Sequence, residues 1–324
     1  MATPNRHLAL AGLRIEPSRL RADIEAVNAL GRSSGRPGID RISFSDADMA
    51  GRRWLAGRLR DAGLEARIDA VGNVLGRWPV GTGKAVLVGS HLDTVPDGGP
   101  FDGTLGVCAA LEAVRAIRAA AIEPVRPIMV VCTADEEGRF GGMLGSEALC
   151  GLLAPGWIDR ATADDGTHLR DAMERQGLAP AAADDAALDP EAVAVFLELH
   201  IEQGPILAEA GLPIGVVTGV SGCFNWTVTL TGVANHSGTT PMDRRQDAMR
   251  GLAAFVHGLD AVIAAAGGPE TRLTVGRVAL EPNFPHSIAG TATFSLIGRD
   301  PDPASMRRVA AACRAALAEV ARTQ

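Results

Sequence analysis

Three short apolar runs constrain the fold of this chain more than any other feature. They are KAVLVGS (84–90), RPIMVVCTA (126–134) and AVAVFLELHI (192–201), each of a length typical of a buried strand. After the first run, LGVCAALEAVRAIRAA has apolar residues at a helical spacing, at Val107, Leu111, Val114 and Ile117. Strands that alternate with helices are typical of α/β proteins. We therefore predict an α/β fold with a mostly parallel sheet, and a surface connection over 177–190.

The pattern changes after about Gly219. FNWTVTLTG alternates like a half-exposed strand, a helix is predicted over about 244–266, strands follow near LTVGRVAL and TATFSLIGR, and a helix is predicted from 304 onward. A β-α-β-β-α order is typical of a small ferredoxin-like sheet with helices on one face. We therefore predict two domains, 1–218 and 219–324.

Composition excludes several classes of protein. The formal net charge of −7 and the scattered Lys and Arg residues argue against a nucleic-acid partner. The five cysteines are never spaced as CxxC, which favours reduced thiols over a disulfide framework. No apolar stretch approaches the length of a membrane span, and the N-terminal run LALAGL is too short for a signal peptide. We expect a cytoplasmic protein without a membrane partner.

Each of the three apolar runs contains potential metal ligands at its end or is followed by them. The first leads to His91, Asp93 and Asp102, the second to Asp135, Glu136 and Glu137, and the third to Glu198, His200 and Glu202. Any one group alone would fit an exposed turn or a solvated loop. In open α/β sheets, however, ligands bind beyond the carboxyl ends of the strands. Together the groups form a mixed nitrogen and oxygen set that suits zinc or manganese.

Several motifs resemble one family. They are GSHLDTVPDGGPFDG, DEEG, ELHIEQGPIL, NHSGTTPM and the PN…R segment from Asn283 to Arg299. The chain resembles the amidase branch of the M20-type metallopeptidase clan, the hydantoinase/carbamoylase family that includes N-carbamoyl-L-amino-acid hydrolases and allantoate amidohydrolases. The resemblance implies a metallohydrolase catalytic domain over 1–218 and an inserted ferredoxin-like α+β dimerisation (lid) domain over 219–324.

The resemblance also implies a site with two divalent metal ions, zinc or manganese. His91 and His200 would bind one metal, Asp102 would bridge both, and Glu137 would bind the other. Asp93 would accept a hydrogen bond from His91 and fix its tautomer. Glu136 would be the general base that activates water.

Other residues are implied at the substrate. His236 would reach across a dimer interface to stabilise the oxyanion of the transition state. The substrate would be bound by Gln203, Asn283, His286 and Arg299. Arg299 would hold the carboxylate of the substrate. His286 stands where the family pattern has an asparagine. The resemblance therefore implies a homodimer and a small-molecule substrate.

The implied activity is hydrolysis of a non-peptide C–N bond in an N-carbamoyl-L-amino acid or a ureido acid such as allantoate. Two alternatives stay open: a metallopeptidase of the same clan (an aminoacylase or dipeptidase), and a non-catalytic relic that acts through its dimerisation domain. The family pattern continues past the position of Gln324, to a histidine that is the last ligand of the second metal. We therefore expect a C-terminally truncated member.

Overall fold

The computed structural model describes residues 12–32 and 35–323, so most of the LALAGL run lies outside the described residues. The chain divides into two compact units, one up to Ile206 and one from Leu207. The division into domains 1–218 and 219–324 remains a proposal.

The first unit is built on a five-stranded sheet of order β1-β2-β4-β3-β5. The strands are β1 (Glu65–Ile68), β2 (Val74–Trp78), β3 (Ala85–His91), β4 (Ile128–Thr133) and β5 (Val193–Leu197). The three predicted strands β3, β4 and β5 are present, and both β4 and β5 pair with β3 in parallel. The prediction that the third strand is buried is wrong, because residues 194–197 of β5 are exposed. The pairs β1/β2 and β2/β4 are antiparallel, so the sheet is mixed. The prediction of a mostly parallel sheet missed β1 and β2, whose short segments EARI and VLGRW carry little strand pattern.

The first unit also contains helices. They are α1 (Pro17–Ala29), α2 (Asp46–Asp61), α3 (Thr104–Ala119), α4 (Leu144–Leu149), α5 (Trp157–Arg160) and α6 (Leu169–Arg175). The predicted helix after β3 is α3, and its buried face contributes Leu111 and Val114 to a core shared with Val130 and Cys132 of β4. Ser45 caps the N-terminus of helix α2, where its side chain accepts a hydrogen bond from the backbone N–H of Asp48.

The predicted surface connection over 177–190 is partly wrong. Residues Pro180–Ala186 form a 3₁₀-helix, followed by a shorter one at Pro190–Ala192. Pro180, Ala183 and Ala186 are buried in it. They recur every third residue, which is the period of a 3₁₀-helix, so one face of the segment packs into the core.

The second unit contains a three-stranded antiparallel sheet of order β6-β10-β8. Its strands are β6 (Gly222–Thr231), β8 (Arg272–Glu281) and β10 (Thr291–Asp300), and a separate pair joins β7 (Asn235–His236) to β9 (Ser287–Ile288). The helices are α7 (Ile206–Glu209), at the boundary of the units, α8 (Ala248–His257), α9 (Leu259–Ala266) and α10 (Pro303–Thr323), with a 3₁₀ turn at Met242–Arg244. The last strand in sequence, β10, lies at the centre of the three-stranded sheet. Apart from the short strands β7 and β9, the elements follow the predicted β-α-β-β-α order.

The alternating pattern of β10 creates the core of the second unit. Phe294 and Leu296 are buried against Phe255 of α8 and against Val309 and Cys313 of α10. The helix predicted over about 244–266 is two helices that meet at Gly258 with a bend of 42°. Glycine has a low helix propensity, which explains the break at this residue.

Within residues 12–32 and 35–323, no single helix has the length and apolar character needed to cross a membrane, and the bent pair α8–α9 meets that test only as a pair, by length and composition.

Candidate metal centre

His91 is the last residue of β3 and is buried, with 1% of its surface exposed. Its Nδ1 lies 3.0 Å from the backbone carbonyl of Asp93. If Nδ1 carries the proton and donates to that carbonyl, Nε2 is free to bind a metal. Nε2 lies 3.6 Å from Oδ1 of Asp102 and 3.5 Å from Oε2 of Glu136.

Asp102 reaches His91 because of the turn that follows it. Gly103 has φ 57° and ψ −45°, and the N–H of Thr104 donates to the carbonyl of Asp102 across it. This is the conformation of a γ-turn that is strained for residues other than glycine. A Cβ atom at Gly103 would lie 2.5 Å from the carbonyl oxygen of His91 and 2.6 Å from two atoms of its ring. The turn therefore requires glycine both for its backbone and for the close approach of His91.

His200 follows β5 and completes the cluster. Its Nδ1 lies 2.8 Å from the carbonyl of Ile201, and its Nε2 lies 3.0 Å from Oδ1 of Asp102. The rings of His91 and His200 stack with their centroids 5.9 Å apart. Gln203 donates to the other carboxylate oxygen of Asp102 over 2.6 Å. The backbone φ of Gln203 is 57°, in the left-handed region, as happens often where local structure serves a site.

The cluster fits a metal ion. Ligand atoms of His91, Asp102 and His200 lie within 4.8 Å of one another. Oδ1 of Asp102 is buried and accepts no hydrogen bond from the described residues, although two ring nitrogens lie nearby. A cation between the three side chains would satisfy that oxygen, and imidazole with carboxylate is a donor set that zinc accepts.

The electrostatics of the cluster also favour a cation. Burial opposes a charge on His91, but the contact with Asp102 and the charges of Asp93 and Glu136 outweigh it and raise the pKa of His91 to about 9. The contact with His91 lowers the pKa of Asp102 to about 2. Burial opposes this effect, and the hydrogen bond from Gln203 supports it. The centre is therefore a region of negative potential in which a proton and a metal compete for His91.

The two acidic residues after β4 lie at the same edge of the sheet. Burial, as the largest effect, raises the pKa of both the Glu136 and the Glu137 carboxyl groups. Glu136 faces Nε2 of His91, whereas Glu137 contributes no atom to the three-residue cluster. The backbone N–H of Glu137 donates to Oδ2 of Asp93 over 3.0 Å. The role of Glu137 as a ligand of a second metal stays a prediction.

The remaining predicted site residues belong to the second unit and are exposed. His236 in β7 pairs with Ser287 of β9, and its Nδ1 accepts from the N–H of Gly238 over 3.1 Å. The carbonyl of His286 accepts from the N–H of Ser237, so these two histidines belong to one local substructure. Asn283 lies in the loop between β8 and β9. Arg299 lies on β10 opposite Cys223 of β6, away from His236.

The profile of Peptidase family M20/M25/M40 matches residues 87–324. The chain belongs to this family. The resemblance inferred from the motifs is therefore confirmed. The N-carbamoyl-L-amino acid amidohydrolase of Geobacillus stearothermophilus is 40% identical over 269 residues, which are 81% of this chain and 64% of that protein. The allantoate amidohydrolase of Escherichia coli (strain K12) is 36% identical over 278 residues, which are 83% of this chain and 66% of that protein.

Solved structures agree with the sequence relatives. An amidase (hydantoinase/carbamoylase family) from Burkholderia phymatum is similar with a TM-score of 0.77 and 38% identity, and the match covers 94% of this chain and 74% of that one. This M20 family member thus spans about two thirds of the length of the curated relatives and about three quarters of the solved one.

The sequence alone did not single out the residues that support this M20 centre. Ser43 and Arg52 are buried behind the cluster and both donate to the carboxylate of Asp93. Neither lies in a recognisable motif. Arg52 is one of four arginines in α2, so the sequence does not distinguish it from the others or identify its partner.

Proposed function

We propose that this chain is a metal-dependent amidohydrolase that cleaves a non-peptide C–N bond in an N-carbamoyl-L-amino acid or a ureido acid such as allantoate. The observation that carries the proposal is the convergence of His91 and His200 on one buried oxygen of Asp102, with Glu136 beside them. The names of the relatives support this chemistry over peptide hydrolysis.

His91, Asp102 and His200 would hold one divalent ion, zinc or manganese. Glu137 would contribute to a second ion that shares Asp102. The metals would polarise the substrate carbonyl and make water acidic enough to be deprotonated near neutral pH.

Glu136 would transfer the protons in this reaction. Its carboxylate lies at the edge of the ligand cluster, and burial raises its pKa towards the range in which a carboxylate is an effective base. It would take a proton from the attacking water and deliver it to the leaving nitrogen. Asp93 would keep His91 in the tautomer that presents Nε2, because its backbone carbonyl faces Nδ1.

The substrate-binding residues support a homodimer. His236 lies next to Ser287, near the Thr291 end of β10, whereas Arg299 lies at the other end of that strand. A strand rises about 3.4 Å per residue, so Thr291 and Arg299 are separated by about 27 Å. One small substrate cannot contact both residues of a single second unit. In the proposed dimer, His236 of one protomer would act on the substrate that Arg299 of its partner holds by the carboxylate.

A substitution series tests the assignment. The purified chain is loaded with zinc or manganese, its metal content is determined by elemental analysis, and ammonia release is measured with N-carbamoyl-L-amino acids and allantoate. Glu136→Gln should abolish turnover and retain the metal, since it keeps the volume and removes the base. Glu174→Gln, an exposed carboxylate on α6, is the matched control and should behave as wild type.

The outcomes separate the alternatives. Hydrolysis of N-acyl amino acids or dipeptides without ammonia release from carbamoyl compounds would favour a metallopeptidase and contradict the proposal. Retained ammonia release in Glu136→Gln would contradict the role of that residue. For the dimer, equal amounts of inactive His236→Ala and Arg299→Ala chains should recover part of the activity when mixed, because one hybrid site is then intact.

A further inference from the structure

A fully buried arginine lies directly behind the candidate metal centre. Arg52 on α2 has no exposed surface. Its Nε donates to both carboxylate oxygens of Asp48, one turn earlier on the same helix, over 2.9 and 3.0 Å. Its Nη2 donates to Oδ1 of Asp93 over 3.3 Å. One guanidinium therefore joins two buried carboxylates, of which Asp93 adjoins the centre.

The same guanidinium also binds backbone. Its Nη1 donates to the carbonyl of Thr133, the last residue of β4, over 3.0 Å, and to the carbonyl of Gly72, which precedes β2, over 3.1 Å. Arg52 thus connects the end of β4, which leads to Glu136, with the segment after β3 that contains Asp93. These are two of the three strand ends that carry the ligands and the base, and His200 follows the third.

Asp93 links Arg52 to the metal centre through its own contacts. Its Oδ2 accepts from the hydroxyl of Ser43 and from the N–H of Glu137, each over 3.0 Å, and its backbone carbonyl faces Nδ1 of His91. A rotation of the Asp93 side chain would release the N–H of Glu137 and shift the backbone that orients His91. Interactions of this kind, one step behind the ligands, typically change metal affinity by about 10- to 100-fold.

We propose that Arg52 is a positioning residue of the metal centre: it fixes the Asp93 carboxylate, and through it His91 and the Glu137 backbone, in the geometry that binds the metal. The inference rests on the proposed metal site of the preceding subsection. The proposed role depends on the planar guanidinium group, whose nitrogens reach acceptors on α2, on β4 and after β3 at once. A lysine carries the same charge but only one nitrogen, so it cannot span these acceptors.

The test separates the effect of the shape of the Arg52 side chain on zinc binding from the effect of its charge. Zinc affinity is measured on the full chain by competition with a chromophoric chelator, for wild type, Arg52→Lys and Arg52→Gln. Leu55→Ala is the matched control: Leu55 is a buried residue of the same helix, and its truncation lowers stability without removing a hydrogen bond to Asp93. We expect both Arg52 variants to bind zinc at least 10-fold more weakly and Leu55→Ala to stay within threefold of wild type.

A milder variant keeps the test decisive if the Arg52 variants do not fold. Ser43→Ala removes only the hydroxyl that donates to Oδ2 of Asp93, and we expect zinc affinity to fall at least threefold. Wild-type affinity in Arg52→Lys would show that charge alone suffices and would overturn the inference, as would unchanged affinity in Ser43→Ala. A wild-type chain that binds no zinc or manganese would instead refute the metal site itself, and this inference with it.

Discussion

Alanine substitutions at two glycines should change stability in opposite directions, and the difference measures how much the Asp102 turn depends on glycine. At Gly103, with φ 57° and ψ −45°, alanine would adopt a disfavoured backbone conformation, and its Cβ would lie 2.5 Å from the carbonyl oxygen of His91. The backbone cost is about 1–2 kcal/mol and forced overpacking costs about 1–3 kcal/mol. We therefore expect Gly103→Ala to lower the free energy of unfolding by about 2–5 kcal/mol.

Gly57 is the control. It lies inside α2, and a Cβ atom there would meet nothing within 4 Å. Alanine is favoured over glycine in a helix interior, so Gly57→Ala should raise the free energy of unfolding by about 0.5–1 kcal/mol.

Both effects are measured by urea unfolding of the metal-free proteins, followed by zinc titration of each. Gly103→Ala should also weaken zinc binding, because the added methyl group displaces the ring of His91 or the turn that presents Asp102. Gly57→Ala should bind zinc as wild type does. If Gly103→Ala were as stable as Gly57→Ala and bound zinc equally well, the γ-turn would not position Asp102 as described.

Three further predictions concern charge, packing and thiol chemistry. The contact with His91 is the main cause that lowers the folded-state pKa of Asp102 to about 2. The charge of Asp102 therefore stabilises the metal-free fold at pH values above its unfolded-state pKa, and this stabilisation is lost as the pH falls through about 2. Urea unfolding should therefore find wild type more stable than Asp102→Asn between about pH 4 and 7, with the difference gone near pH 2. Leu111→Ala removes a fully buried side chain of α3 and should cost about 2–5 kcal/mol in the same assay. A thiol reagent should modify the exposed Cys150 and Cys223 first, and the buried thiols should react only in denaturant, because burial raises their pKa: Cys108, Cys132 and Cys313.

Elements with a strong hydrophobic period were predictable from the sequence. Strands β3, β4 and β5 follow directly from apolar runs, although β5 itself is mostly exposed. Helix α3 follows from its helical spacing, because one buried face determines that pattern. Strand β10 alternates along its whole length for the same reason. The short strands β1 and β2 were missed because β2 is held by pairing with β4 and β1 by pairing with β2, and not by a pattern of their own.

The candidate site shows a similar division. His91, Asp102 and His200 follow strands whose ends must meet, so their proximity could be expected from the α/β order alone. The conformation of Gly103 could not be expected, since glycine is common in loops and its φ depends on contacts with His91. The hydrogen bond from Arg52 to Asp93 could not be expected either, because it forms only when α2, β3 and β4 have packed together.

The geometry of the centre depends both on the strand ends that carry the ligands and on the residues that position those ligands. The strand ends bring the ligand-bearing segments into one region, but strand geometry alone does not determine where a side chain in the following loop lies. Asp102 obtains its position from the γ-turn at Gly103, and Asp93 obtains its orientation from Arg52 and Ser43. A metal site needs its ligand atoms placed to within a few tenths of an ångström. The precision of this centre therefore resides in residues that bind no metal, and substitutions at Gly103 and Arg52 should impair metal binding although neither side chain would contact the ion.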